Sequence, residues 1–253
     1  MPAPINRFKE RLIARDPQIG LWLGLASADV AELAAGCGYD WLVVDGEHGP
    51  NGLRDLLGQL RAIGDRSHAV VRVRDDNRAG LKQVLDMGAQ TVLVPMVESG
   101  AQAQAIVASV RYPPQGVRGV GAALARASGY NAIADYTTTA NDQICLLVQV
   151  ENRAGLAALD DILAVDGVDG VFIGPADLAA DMGYPGQGAA PAVTQTIEDA
   201  LTRIATAGKA TGILMTHPAQ AQAMARRGVD FLAVGADSLV LRQGLCDLRA
   251  QFT

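Results

Sequence analysis

Asp45, Glu47 and His48 follow one another at the close of the segment Trp41-Leu-Val-Val-Asp-Gly-Glu-His-Gly-Pro-Asn51, directly after an apolar run. Gly49 and Pro50 interrupt extended structure, so three ionisable side chains stand where a strand stops. A histidine there can take and return a proton near neutral pH, because its reference pKa is about 6.5. Three further apolar runs end in chemistry of their own. The run 69–73 carries Arg72, the run 145–150 carries Gln149 and leads into Glu151, and the run 170–173 leads into Gly174-Pro175-Ala176-Asp177. Glu151 and Asp177 are hard oxygen donors suited to Mg²⁺, Mn²⁺, Co²⁺ or a similar ion. Two carboxylates alone would leave coordination positions for water or a chelating substrate. Pro175 suits the first position of a helix, which would point the backbone N–H groups of Ala176 and Asp177 at a substrate carboxylate. Asp45 can orient the His48 ring or cap the turn after its strand, and Gln149 can contact substrate or serve as an interior hydrogen bonder. Glu47 reads as a solvated turn residue.

These groups meet only if their strands are parallel and share a sheet, and the rest of the chain predicts that arrangement. Strands are expected at residues 20–25, 41–45, 69–73, 91–95, 145–150, 170–173, 211–215 and 231–234. Helical patterns at 27–35, 53–63, 78–87, 101–110, 154–163, 175–182 with 193–207, 218–227 and 238–251 follow them in alternation. Four times a helix ends in glycine just ahead of a strand, at Gly38, Gly88, Gly167 and Gly228, as a left-handed helix terminus requires. An N-terminal helix precedes the first strand, and an extra helix is expected at 133–141. Eight strands alternating with helices through right-handed crossovers predict a (β/α)8 TIM barrel; a doubly wound sheet is the alternative. No linker divides the chain, so residues 1–253 are expected to form a single domain. The irregular stretch 112–131, with Pro113-Pro114 and the glycines 116, 119 and 121, is too long for an ordinary connection and is the best candidate for a functional loop.

Composition removes several classes of function. A net charge of −6 with only three lysines argues against nucleic acid or an anionic membrane as partner. Cys37, Cys145 and Cys246 are scattered and form no metal or disulfide pattern, and neither a signal-type apolar segment nor a membrane span occurs. A soluble cytoplasmic protein acting on a small molecule is the expectation.

The VDGEHGPN segment, the Arg72 strand, Gln149-Val-Glu151-Asn and Ile173-Gly-Pro-Ala-Asp177-Leu together resemble the HpcH/HpaI aldolase family, in order and spacing over nearly the whole chain. The resemblance implies a (β/α)8 barrel and a divalent metal on Glu151 and Asp177. It implies reversible aldol cleavage of 4-hydroxy-2-oxo acids to pyruvate and an aldehyde. It further implies His48 as base, Arg72 as stabiliser of the transition state, and substrate contacts at Gln149, Ala176 and Asp177. A carboxylate matching Asp86 would raise the basicity of the histidine. Relatives usually form hexamers, with the last helix packed on a neighbour. Asp86 falls late in its helix and should stand at the opposite rim of its own barrel, so the expectation is that it reaches His48 of a neighbouring subunit.

The residue types agree with that chemistry. Arg72 supplies a fixed positive charge for an enolate oxygen, and His48 can remove the C4 hydroxyl proton. An imine mechanism needs a lysine at a strand's carboxyl end, yet Lys82 lies within a helix and Lys209 precedes a strand. Two rivals are an acyl-CoA lyase of the citrate lyase β-subunit or malyl-CoA lyase type, and a barrel that binds keto acids without turnover. His68 and Trp22 read as structural.

Overall fold

The computed structural model describes residues 1–252. Eight parallel strands close into a barrel in sequence order: β1 (Gln18–Leu23), β2 (Trp41–Asp45), β3 (His68–Arg72), β4 (Thr91–Val94), β5 (Cys145–Val150), β6 (Gly170–Ile173), β7 (Ala210–Leu214) and β8 (Phe231–Ala236), which pairs back with β1. Helix α1 (Arg7–Ile13) precedes β1. The helices α2 (Ala28–Ala35), α3 (Leu53–Ile63), α4 (Arg78–Asp86) and α5 (Gly100–Val110) follow β1 to β4. Helix α6 (Tyr136–Gln143) precedes β5, and the connection from β5 to β6 is α7 (Arg153–Ala157) and α8 (Leu159–Leu163). After β6 come α9 (Pro175–Asp181) and α10 (Pro191–Thr206), after β7 α11 (Pro218–Arg227), and after β8 α12 (Asp237–Ala250). The (β/α)8 barrel with an N-terminal helix is therefore the fold.

Local signals explain the boundaries. Ser27, Asn77, Ser99 and Asn152 each accept a backbone N–H in the first turn of the helix they precede, which satisfies donors the helix cannot satisfy itself. Gly38, Gly88, Gly167 and Gly228 all have positive φ, between +86° and +100°. There a side chain would be strained, so glycine ends the helix and turns the chain into the next strand. One expected helix differs: residues 153–163 split at Ala158 into α7 and α8. The first strand begins two residues earlier than its apolar run, because Gln18 is drawn into the barrel floor by hydrogen bonding to the Phe8 carbonyl.

Strands β2, β4, β5 and β6 are buried along their whole length, as expected when one face meets the barrel interior and the other the helices. Phe8 and Leu12 of α1 close the lower end of the interior against Trp41, Phe172 and Phe231. The upper end, where the strands finish, is left for polar groups.

Candidate active site

Asp45 and Arg72 end β2 and β3 directly opposite each other in the ladder. The pairing is bidentate: Arg72 donates Nε to Asp45 Oδ1 at 2.9 Å and Nη2 to Oδ2 at 2.6 Å. Both side chains are 5–6% exposed. Burial pushes the Asp45 carboxyl up, but the hydrogen bonds and charge of Arg72 outweigh it, and the group sits below its ordinary pKa. Trp22, on β1, adds an indole N–H to Asp45 Oδ2 at 3.1 Å and lies 4.8 Å beneath the guanidinium. Trp22 belongs to the apolar interior as expected, yet its polar edge also fixes the ion pair.

The turn after β2 is tied down tightly. Asp45 Oδ1 accepts the backbone N–H of Glu47 at 3.0 Å and of His48 at 3.3 Å, and Asn51 Nδ2 donates to the Asp45 carbonyl at 2.7 Å. A side chain on Gly46 would meet the Arg72 carbonyl oxygen at 2.7 Å, so only glycine lets the turn fold back over β3. This corrects one expectation. Asp45 holds the backbone N–H of His48 and the guanidinium of Arg72, and among the described residues the only ion-pair contact of the His48 ring is Glu47 Oε2 at 3.9 Å. The His48 side chain is 68% exposed. Glu47 is not the solvated residue its sequence position suggested. It is half-buried, with Oε2 2.5 Å from Arg72 Nη1 but out of line for a hydrogen bond. Burial raises its pKa first, Arg72 and His48 lower it, and the charges of Asp45 and Asp177 raise it again.

Glu151, immediately beyond β5, is 2% exposed. Its Oε1 accepts the Met96 backbone N–H at 2.9 Å, and its Oε2 accepts from Gln149 Nε2. The carboxyl is raised in pKa by burial, lowered by those two donors, and raised again by Asp177 and Glu47. Met96 holds φ at +54° to deliver its N–H, a left-handed conformation uncommon outside glycine. Gly174 is equally constrained, since a Cβ there would lie 2.7 Å from Glu151 Cβ and 2.9 Å from Gln149 Nε2. Helix α9 begins at Pro175 with no side-chain cap, which leaves the N–H groups of Ala176 and Asp177 facing the rim; Asp177 is exposed.

Whether this cluster fits a divalent cation can be judged from its charge. Glu47 feels the charges of Asp45 and Asp177, and Glu151 those of Asp177 and Glu47, while Arg72 is the guanidinium that acts on Asp45 and Glu47, so carboxyl groups outnumber cations on this rim. Gln149 Oε1 is a buried acceptor without a partner. Excess carboxylate and an orphan oxygen in a sheltered spot suit a hard cation. Among the described residues no three His, Cys, Asp or Glu side chains form a cage, so an ion would rely on Glu151, Asp177 and outside ligands.

Asp86 stands apart from this cluster. It ends α4, which descends from the top of β3, and it pairs with Arg118 at 2.7 Å. Arg118 is fully buried over the Tyr112 ring at 4.3 Å. The irregular stretch 112–131 thus lies along α4 rather than over the barrel mouth, held also by Arg126 donating to the Met87 carbonyl. Lys209 keeps to its expected place at the lower rim, bonding the Val165 and Val168 carbonyls, and Lys9 bonds the Ile144 carbonyl at the same end. His217 caps no backbone group with its side chain.

A parallel barrel whose upper rim gathers a buried arginine–aspartate pair, an exposed histidine and the carboxyl groups of Glu151 and Asp177 has the layout of a TIM-barrel enzyme site. A family model described as HpcH/HpaI aldolase/citrate lyase matches residues 18–243, and the chain belongs to that family. The chain is 56% identical to a hydroxypyruvate/pyruvate aldolase of Pseudomonas aeruginosa over 253 residues, covering 100% of this chain and 94% of that one. It is 53% identical over 248 residues to a 4-hydroxy-2-oxo-heptane-1,7-dioate aldolase of Salmonella arizonae, covering 98% and 94%. The crystal structure of an HpcH/HpaI aldolase/citrate lyase family protein from Burkholderia cenocepacia superimposes with a TM-score of 0.93 at 38% identity, covering 98% of this chain and 100% of that one.

Proposed function

We propose that this protein catalyses metal-dependent, reversible aldol cleavage of 4-hydroxy-2-oxo acids to pyruvate and an aldehyde. The observation that carries the reading is the convergence of the Asp45–Arg72 pair and the Glu151 carboxyl on one rim, in a chain more than half identical to named aldolases.

In this reading Glu151 and Asp177 hold the ion, and Gln149 orients Glu151 while contacting substrate. A divalent cation bound there would stabilise negative charge on the substrate's C2 oxygen. Arg72, fixed by Asp45, directs its positive charge at the same oxygen, and its position is set before substrate arrives. The uncapped start of α9, with Gly174 and Pro175 shaping the turn and Ala176 and Asp177 presenting N–H groups, receives the substrate carboxylate. His48, exposed at the mouth, takes the C4 hydroxyl proton as the C3–C4 bond breaks. No lysine approaches the rim, which favours this route over an imine.

The chain acts as one barrel unit in the cytoplasm and assembles as a homohexamer. The exposed apolar side chains of α12, Leu241, Leu245 and Leu248 among them, support packing on a neighbour. No helix among the described residues is long and apolar enough to cross a membrane. Asp86, remote by topology from its own His48, serves the His48 of an adjacent subunit.

Pyruvate release from a 4-hydroxy-2-oxo acid, with and without chelator and Mn²⁺, tests the reading. Turnover should require the metal, and His48→Ala should lower it by roughly two to four powers of ten. Cleavage of a CoA thioester without pyruvate release would favour the acyl-CoA lyase, and keto-acid binding without turnover would favour the binding barrel.

A further inference from the structure

Aldol cleavage ends with an enolate that must gain a proton at C3, and the proposed roles of His48, Arg72, Glu151 and Asp177 leave that step without a donor. The donor must reach the rim interior, where C3 is held near Arg72, and it must exchange protons with solvent. His48 is too exposed to be confined to that point, with 68% of its side chain accessible.

Glu47 meets both requirements. Gly46 folds the turn back over β3, and Asp45 fixes the Glu47 backbone N–H at 3.0 Å, so the carboxyl is delivered to the guanidinium at 2.5 Å. Its Oε2 is buried and makes no hydrogen bond, and among the described residues its Oε1 has no hydrogen-bond or ion-pair partner. Asp45 already fixes the Arg72 guanidinium through Nε and Nη2, so Glu47 is not needed to hold it. The same Oε2 is 3.9 Å from His48 Nε2, a separation that a small side-chain rotation or one water spans. His48 in turn opens to bulk solvent.

We infer that Glu47 is a catalytic residue that protonates C3 of the enolate and recovers its proton through His48. The assignment rests on the aldolase reading. The protons balance: His48 removes the C4 hydroxyl proton as the C3–C4 bond breaks and its electron pair becomes the enolate. Glu47 then gives its proton to C3, the C2 ketone reforms, and the proton on His48 passes to Glu47. No proton is gained or lost overall. In the reverse direction Glu47 takes the C3 proton of pyruvate and passes it to His48, which gives it to the aldehyde oxygen; without an aldehyde, His48 exchanges it with solvent.

The test is exchange of pyruvate C3 protons in D₂O, followed by NMR on the Mn²⁺- or Mg²⁺-loaded enzyme, beside aldehyde release from a 4-hydroxy-2-oxo acid. Glu47→Gln should slow exchange by at least about 100-fold, the lower end for a general acid–base group. His48→Ala should lose cleavage and, because Glu47 meets solvent through His48, should slow exchange as well. In Glu47→Gln, ferricyanide, which oxidises and so consumes the enolate, should restore aldehyde release, because bond breaking is intact and only protonation is blocked. Glu47→Asp should recover part of the exchange. Exchange within about threefold of wild type in Glu47→Gln would overturn the assignment. So would lost exchange with no ferricyanide rescue, which would mean that Glu47 acts by positioning Arg72. A wild-type enzyme showing neither exchange nor cleavage would overturn the aldolase reading and this assignment with it.

Discussion

Replacing Asp45 with asparagine should uncouple the arginine from the site at a cost that the hydrogen-bond pattern allows one to work out. The carboxylate accepts five donors: Arg72 Nε and the backbone N–H groups of Glu47 and His48 on Oδ1, and Arg72 Nη2 and Trp22 Nε1 on Oδ2. An asparagine offers one oxygen and one NH₂, so whichever way it turns, at least two donors face another donor. The less damaging orientation puts the NH₂ toward Arg72 Nη2 and Trp22, losing one charge-assisted and one neutral hydrogen bond. Those losses are about 1.5–3 and 0.5–1.5 kcal/mol, and a buried guanidinium short of its counter-charge brings the total to about 3–5 kcal/mol. For a domain of this size that lowers Tm by roughly 10 °C. A displaced charge-stabilising donor should lower kcat by about two to three powers of ten. Trp22→Phe supplies the graded control, because it removes only the neutral bond at 3.1 Å and should cost about 1 kcal/mol and less than tenfold in kcat. Thermal unfolding and pyruvate-release kinetics measure both. If Asp45→Asn melts early but keeps kcat within about threefold of wild type, the buried pair is a structural feature and Arg72 is not positioned for catalysis by Asp45.

Three other substitutions probe the rest of the rim and the barrel floor. Glu151→Gln should raise the Tm of the metal-free protein, by about 2–4 °C per kcal/mol regained, because the folded carboxyl holds its proton more tightly than the unfolded one and its charge opposes folding above the unfolded pKa. The same variant should lose the further Tm increase that Mn²⁺ gives the wild type; an undiminished Mn²⁺ shift would remove Glu151 from the ligand set. Gly174→Ala would force its new methyl group into Glu151 and Gln149, so metal affinity measured by calorimetry should fall, and wild-type affinity would show that this contact does not hold Glu151 in place. His68 is half-buried as a residue, but its ring stacks on Phe8 and meets Thr91 Oγ1 at 2.7 Å, and desolvation lowers its pKa to about 4. The unfolded chain binds that proton near pH 6.5, so the stability is present above about pH 6.5 and is lost as pH falls toward about 4, up to about 3 kcal/mol. His68→Gln should flatten the dependence of the urea midpoint on pH across that window, and an unchanged slope would assign the acid sensitivity elsewhere.

The alternation of strands and helices was readable because parallel barrel strands are buried on both faces and write continuous apolar runs, while helix ends demand glycine. Gly38, Gly88, Gly167 and Gly228 carried that signal and all adopt positive φ. The residues at the strand ends were readable for a related reason: a strand's last residues point along a direction set by the sheet, so Arg72 and Gln149 are aimed by register alone. Glu47 was not readable, since it lies in a turn, where direction depends on a close approach between Gly46 and the Arg72 carbonyl that no periodicity records. Trp22 was legible only in part. Its apolar bulk satisfied the interior, and nothing in sequence reveals that its N–H meets a carboxylate on the neighbouring strand. Asp86 marks the limit of a single barrel. Helix α4 carries it away from β3, and its partner Arg118 is buried too deeply to leave, so Asp86 can serve a histidine only with the oxygen that Arg118 does not hold. If it works in catalysis, the geometry requires a second chain to bring the histidine to it.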